Sequence, residues 1–230
     1  MTNKFENGIN NLVEEFKFKG EKKFKLIVLF GLLGDFDSFE YAINLKNFID
    51  NHQDKNLDIF AIAIGNQNGK EKFCKFTGFS EENLIVVSDN QIHCSFDVSK
   101  GLDIGLGGGI NLLLMLSGIN SFNTIKEVIR GYTGDRKAKQ IYSEFDKIDA
   151  LKFLKFSGNS FRKVFGDGYL RPFELATFRL NNMNEIIQNW SDYILNEEYL
   201  PQRGASFLLN DKNQVVYNFF QVMCLDIHRT

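Results

Sequence analysis

The chain has 230 residues, above the commonest domain size but within the range of one folded domain. Hydrophobic residues at 43% and charged residues at 24% exclude wholesale disorder, a collagen-like chain and a coiled coil. With 27 basic and 29 acidic residues the net charge is -2, so no global positive field gathers nucleic acid or anionic lipid.

Residues 1–23 read as an N-terminal helical extension. Phe24 to Gly31, FKLIVLFG, is a near-continuous apolar run ending in glycine, the pattern of a strand buried on both faces of a parallel sheet. Asp35 to Asn51 follows as a helix, with Phe36, Phe39, Ala42, Ile43, Leu45 and Ile49 mostly at helical spacing and Asp37 and Glu40 placed as a capping box. Leu57 to Gly65 is a second buried strand. Lys70 to Thr77 is a short helix closed by Gly78, Leu84 to Val87 a third strand, and Asn90 to Asp97 another short helix. The order β-α-β-α-β-α predicts parallel pairing through right-handed crossovers.

From Gly105 the pattern turns helical, and no strand-like run is expected before Ala205. Arg171-Pro172 opens a long amphipathic helix with proline in its first turn. Ala205 to Leu209 and Val215 to Phe219, joined by NDKNQ, form an antiparallel hairpin. An α/β half followed by such a hairpin is the element order of the thioredoxin fold. The fold class expected is therefore α/β with a thioredoxin-like mixed sheet, as one domain over 24–230 with a helical insertion at about 105–198.

The first residues, MTNKFENGINN, lack the basic-then-apolar layout of a signal peptide. The longest apolar run, Leu112 to Leu116, is far below the roughly 20 residues of a spanning helix. A cytoplasmic protein without a spanning segment is expected. Cys74, Cys94 and Cys224 are an odd number with no CxxC, and His52, His93 and His228 follow no ligand spacing. Neither a disulfide framework nor a metal site is expected, and no cofactor is implied. Surface or supporting roles outrank metal binding for the histidines.

Two glycine-bearing stretches of the insertion read as structural. GLGGG at 105–109 lacks phosphate-loop spacing and suits a hinge or close helix packing. INLLLMLSGI is a buried helix before it is a membrane-surface face, and RGYTGD at 130–135 combines a helix-stop glycine with polar turn residues.

Several stretches, LLGDFDSFEYA, FCKFTGFSEENLIVVSD, IRGYTGDRKAKQIY, RPFELATFRLNNMNEIIQNW and QRGASFLLNDKNQVVY, together carry one likeness over roughly residues 24 to 222. They resemble the cyanobacterial and plastid-type peroxiredoxin-like proteins of the alkyl hydroperoxide reductase C / thiol-specific antioxidant family. The resemblance implies a thioredoxin-like fold, an antioxidant thiol-redox ancestry, and as partners a thioredoxin-type reductant or a small-molecule peroxide, with homo-oligomerisation left open. That chemistry needs a thiolate between the first core strand and the next helix, where helix-terminal N–H groups lower a cysteine pKa.

Here that turn is Gly34-Asp35-Phe36-Asp37-Ser38-Phe39-Glu40, without a cysteine. Laid over related CxxC proteins by Glu40 and Ala42, the two cysteine positions fall on Asp35 and Ser38. A hydroxyl does not replace a peroxidatic thiolate, because sulfur's nucleophilicity toward the O–O bond carries the reaction. Asp35, Asp37 and Glu40 read first as helix-start residues and second as acid/base carboxylates. A displaced nucleophile is sought in Cys74, flanked by Lys72 and Lys75, although a free cysteine is more often a small buried hydrophobe.

All seven arginines fall in the last 101 residues. Arg203, in PQRGAS before the hairpin, is expected beside the active-site turn, where Gln202 and Arg203 face Asp35 or Ser38 as an ion pair or a ligand site. Arg171 and Arg179 read as helix-surface partners of Glu174 or its neighbours. Three functions follow: a binding or regulatory protein with a degenerate redox corner, a thiol-dependent peroxide or disulfide reductase using Cys74, or a membrane-surface or oligomer-forming module using Gly105 to Ile119.

Overall fold

A computed structural model describes residues 8–9, 11–14, 22–51, 56–100, 142–150, 154–161 and 171–220. The chain divides into two compact units, Met1–Leu112 with Trp190–Val222, and Leu113–Asn189 with Met223–Thr230.

The first unit is built on β1 (Phe24–Leu32), α1 (Phe36–Asn51), β2 (Leu57–Ile64), α2 (Gln67–Thr77), β3 (Leu84–Val87) and α3 (Gln91–Ser95). Its described sheet has five strands in the order β3-β2-β1-β6-β7, closed by β6 (Ala205–Leu209) and β7 (Val215–Phe220). The β1–β2 and β2–β3 pairs are parallel, whereas β1–β6 and β6–β7 are antiparallel. This is the mixed thioredoxin-like sheet that the element order predicts.

Being central and covered on both faces, β1 is apolar at almost every position. Its alternate side chains feed two separate cores. Ile27 and Leu29 join Ile62, Phe207 and Leu209 on one face, packed under Ile9, Leu12, Phe96 and Val98. On the other face Phe30 meets the rings of Tyr41, Phe73 and Phe79 at 5.9–6.0 Å. There Phe39 packs on Phe73 at 4.9 Å and on Tyr193 at 5.4 Å, both edge-on. The chain's many phenylalanines thus serve packing in this unit.

Helix α2 starts three residues before its expected onset at Lys70, because Asn66 caps it by accepting a hydrogen bond from the Gly69 N–H at 2.7 Å. Gly78 ends it at φ 74, a left-handed conformation that the missing Cβ makes cheap.

The second unit departs from expectation. It contains an antiparallel pair, β4 (Lys147–Ala150) with β5 (Leu154–Ser157), where a purely helical insertion was expected. KIDALKFLKFS reads equally as helix or strand, since a short mixed run carries both periodicities. Ile148 and Phe161 form a small core with the Tyr142 ring, which stacks on Phe161 at 5.9 Å and 13°.

The long helix divides into α4 (Arg171–Gln188) and a separate α5 (Trp190–Tyr193). On α4, Glu174, Arg179 and Asn182 are buried. The helix-surface reading of Arg179 is therefore corrected: the residue is only 5% exposed. No described helix is long and apolar enough to cross a membrane. GLGGG, INLLLMLSGI, RGYTGD, Arg130, Arg136, Arg162, Arg229, Cys224, His52 and His228 lie outside the described residues.

Candidate functional site

The turn after β1 is tight and fully covered. The Leu33 N–H bonds to the Ile64 carbonyl and the Asp35 N–H to the Leu32 carbonyl, each at 2.9 Å, which reverses the chain straight into α1. Asp35 is the capping residue of α1. Its carbonyl accepts from the Phe39 N–H at 3.2 Å and its carboxylate Oδ1 from the Asp37 N–H at 3.3 Å. The capping box assigned to Asp37 and Glu40 is thus shifted, because the helix begins two residues earlier than that box requires. Glu40 sits half-buried, one turn further along α1.

Freed from capping, the Asp37 carboxylate takes another partner. Arg203, only 3% exposed, donates from Nη1 to Asp37 Oδ2 at 3.1 Å. Ser38 donates from Oγ to Asp35 Oδ2 at 3.2 Å, and both residues are buried. The corner therefore holds two carboxylates, one hydroxyl and one guanidinium. With the cation committed to Asp37, burial drives the Asp35 carboxyl up to about 8, and the Asp37 charge adds to the rise. Arg203 and the two hydrogen bonds pull the other way without cancelling it. Asp35 is consequently a neutral acid over most of the physiological range.

Arg203 lies at this turn, as its place before the hairpin implied. Gln202 does not face Asp35 or Ser38 with its side chain. Its Oε1 accepts from Asn90 Nδ2 at 3.0 Å, and its Nε2 donates to the Val98 and Arg203 carbonyls at 3.3 Å. Its backbone carbonyl instead presses on Gly31, where a Cβ would collide with it, which fixes residue 31 as glycine. Tyr41 and Ser206 tie α1 to β6 through a 2.9 Å hydroxyl pair.

The sequence reading left His93 between a surface and a supporting role. His93 on α3 is fully buried, and its Nε2 lies 2.6 Å from the Phe30 carbonyl of β1. Burial lowers its pKa, so the ring is neutral and donates there. Asn90 and His93 are one helical turn apart, and that spacing was the available signal. In so short a helix it does not stand out.

Cys74 stands apart from the corner, on the core side of α2 and 5% exposed. The expectation that Lys72 and Lys75 favour a thiolate fails. Burial pushes the thiol up to about 12, Glu81 adds to the rise, and only Lys70 opposes it. Lys72 is engaged with Asp192 at 2.6 Å. Among the described residues no group of three or more His, Cys, Asp or Glu is arranged to hold a metal ion.

No curated protein matches the chain. The model of one family, described as AhpC/TSA antioxidant enzyme, matches residues 44–222, from the middle of α1 past the end of β7. Covering more than three quarters of the sequence and all but the first of the sheet's strands, that match establishes that the chain belongs to the AhpC/TSA antioxidant enzyme family.

Proposed function

We propose that the protein is a redox-related binding or regulatory member of its family, cytoplasmic, in which the usual active-site cysteine has been lost and peroxide reduction with it. The observation that carries this reading is the composition of the α1 corner. Asp35 and Ser38 are bonded to each other at 3.2 Å where a peroxidatic thiolate would stand. A peroxidase needs a low-pKa sulfur open to the peroxide O–O bond. An alcohol hydroxyl donating to a largely neutral carboxyl supplies neither the charge nor the nucleophilicity.

The partners that fit this reading are a thioredoxin-type protein or a peroxide-like small molecule recognised without turnover. Membership of the cyanobacterial and plastid-type subgroup, which the sequence resembles, and self-association of the chain belong to the same proposal.

Turnover assays with hydrogen peroxide and organic hydroperoxides, using thioredoxin or glutathione as reductant, test it. No thiol-dependent consumption is expected. Turnover that disappears in Cys74→Ala would overturn the reading and install Cys74 as a displaced nucleophile.

A further inference from the structure

A corner that binds a partner must be reachable, yet Asp35 and Ser38 are each 2% exposed. One continuous stretch, residues 190–203, which starts where the chain returns to the first unit at Trp190, lies against the turn that carries them, at Gly31, Gly34, Asp37 and Phe39.

This stretch is seated against three glycines, Gly31 and Gly34 at the end of β1 and the turn after it, and Gly69 in α2. The Asp192 carbonyl occupies the volume a Cβ would need at Gly69, the Ile194 side chain that at Gly34, and the Gln202 carbonyl that at Gly31. Between these seats Tyr193 and Leu200 are fully buried. Two ion pairs pin the stretch. Arg203 to Asp37 is the inner one, and Lys72 to Asp192 at 2.6 Å the outer one, with side chains 41% and 27% exposed. The outer pair is the weaker clamp, because water and salt screen it.

We propose that residues 190–203 are a closed cover over the α1 corner, latched at its outer end by Lys72 and Asp192, and that the corner meets its partner only when this cover lifts. The proposal rests on reading the corner as the binding place and adds how access to it is controlled. The stretch closes as a unit because its contacts are shared along it: the Asp192 and Gln202 carbonyls and the Ile194 side chain seat on the glycines while Tyr193 and Leu200 bury between them, so loosening one end weakens the rest.

Alkylation of a reporter thiol tests this in the full chain carrying Ser38→Cys, with the modified residue identified by peptide mass. Cys94, exposed, gives the unprotected rate, and Cys74, buried in the same unit, reports global opening. The thiol at 38 is expected to react at least about 100-fold more slowly than Cys94. Adding Asp192→Asn should speed it about threefold and Gly69→Ala about tenfold, with Cys74 unchanged. Asp192→Asn keeps the test decisive should Gly69→Ala not fold.

The cover is refuted if the thiol at 38 reacts as fast as Cys94, if neither substitution speeds it, or if it and Cys74 accelerate together. Peroxide turnover is read in a separate assay on the unsubstituted chain. Failure of the cover therefore leaves the function reading standing, and the reverse holds too.

Discussion

Asp35 and Cys74 are both buried in the first unit, and in both desolvation is the largest influence on the proton, yet the outcomes differ in use. The carboxyl of Asp35 ends at about 8, within reach of ordinary pH, whereas the thiol of Cys74 ends at about 12 and stays protonated. The reason lies in the neighbours. Asp35 has a guanidinium close by and two hydrogen-bond donors, which stop its rise. Cys74 has the Glu81 charge against it and only Lys70 to oppose the rise. Burial neutralises any ionisable group, but only a polar setting keeps the proton exchangeable.

The widest separation between the two sites is expected from Asp35→Asn. An acid whose folded pKa exceeds its unfolded value costs stability as pH rises from about 4, the unfolded value, to about 8. The native chain should therefore lose stability across that window and level off above it. In Asp35→Asn this slope should vanish, leaving the variant more stable at pH 9 by an amount on the order of 5 kcal/mol, roughly 1.4 kcal/mol for each pH unit of the window. Denaturation midpoints between pH 4 and 9 measure it, and an unchanged slope would remove Asp35 as the titrating group.

Arg203→Met should act in the opposite direction. It removes the cation that Asp37 and Asp35 share and leaves two acids in a buried corner. A loss of about 3 kcal/mol in urea unfolding is expected, below the top of the range for buried pairs because Asp37 keeps partial access to water. The Asp35 titration should move further up, since Arg203 is what holds it down.

Cys74→Ala should cost about 1 kcal/mol, as for a small buried side chain, with no change in that pH slope. The smallest effect is expected from Lys72→Met, at most about 1 kcal/mol and shrinking with added salt, because the Lys72–Asp192 pair is partly exposed.

Sequence reading found the two carboxylates, Ser38 and Arg203, because a strand–turn–helix junction and the entry to a closing hairpin are neighbours wherever this element order folds. It misplaced their roles. Which of Asp35 and Asp37 caps α1 depends on where the helix starts, and a shift of two residues exchanges capping for ion pairing. Gln202 was assigned to the corner by adjacency, yet in the irregular stretch before β6 its side chain turns to Asn90, away from Asp35. His93 carried only the faint signal of its spacing from Asn90, since its role is a bond to a carbonyl 63 residues away. The lysines around Cys74 misled, because closeness in sequence does not measure closeness across a helix or depth below the surface.

By itself the sequence determined the sheet. Continuous apolar runs at β1 and β2 require cover on both faces, and the late hairpin requires antiparallel pairing at one edge. It also determined that residues 34–40, the α1 turn, carry no cysteine of their own. Only the tertiary structure decided the state of that turn, because an acid's proton depends on the water it loses and the charges it meets. Those charges come from Asp37 beside it and from Arg203, 166 residues beyond Asp37 along the chain.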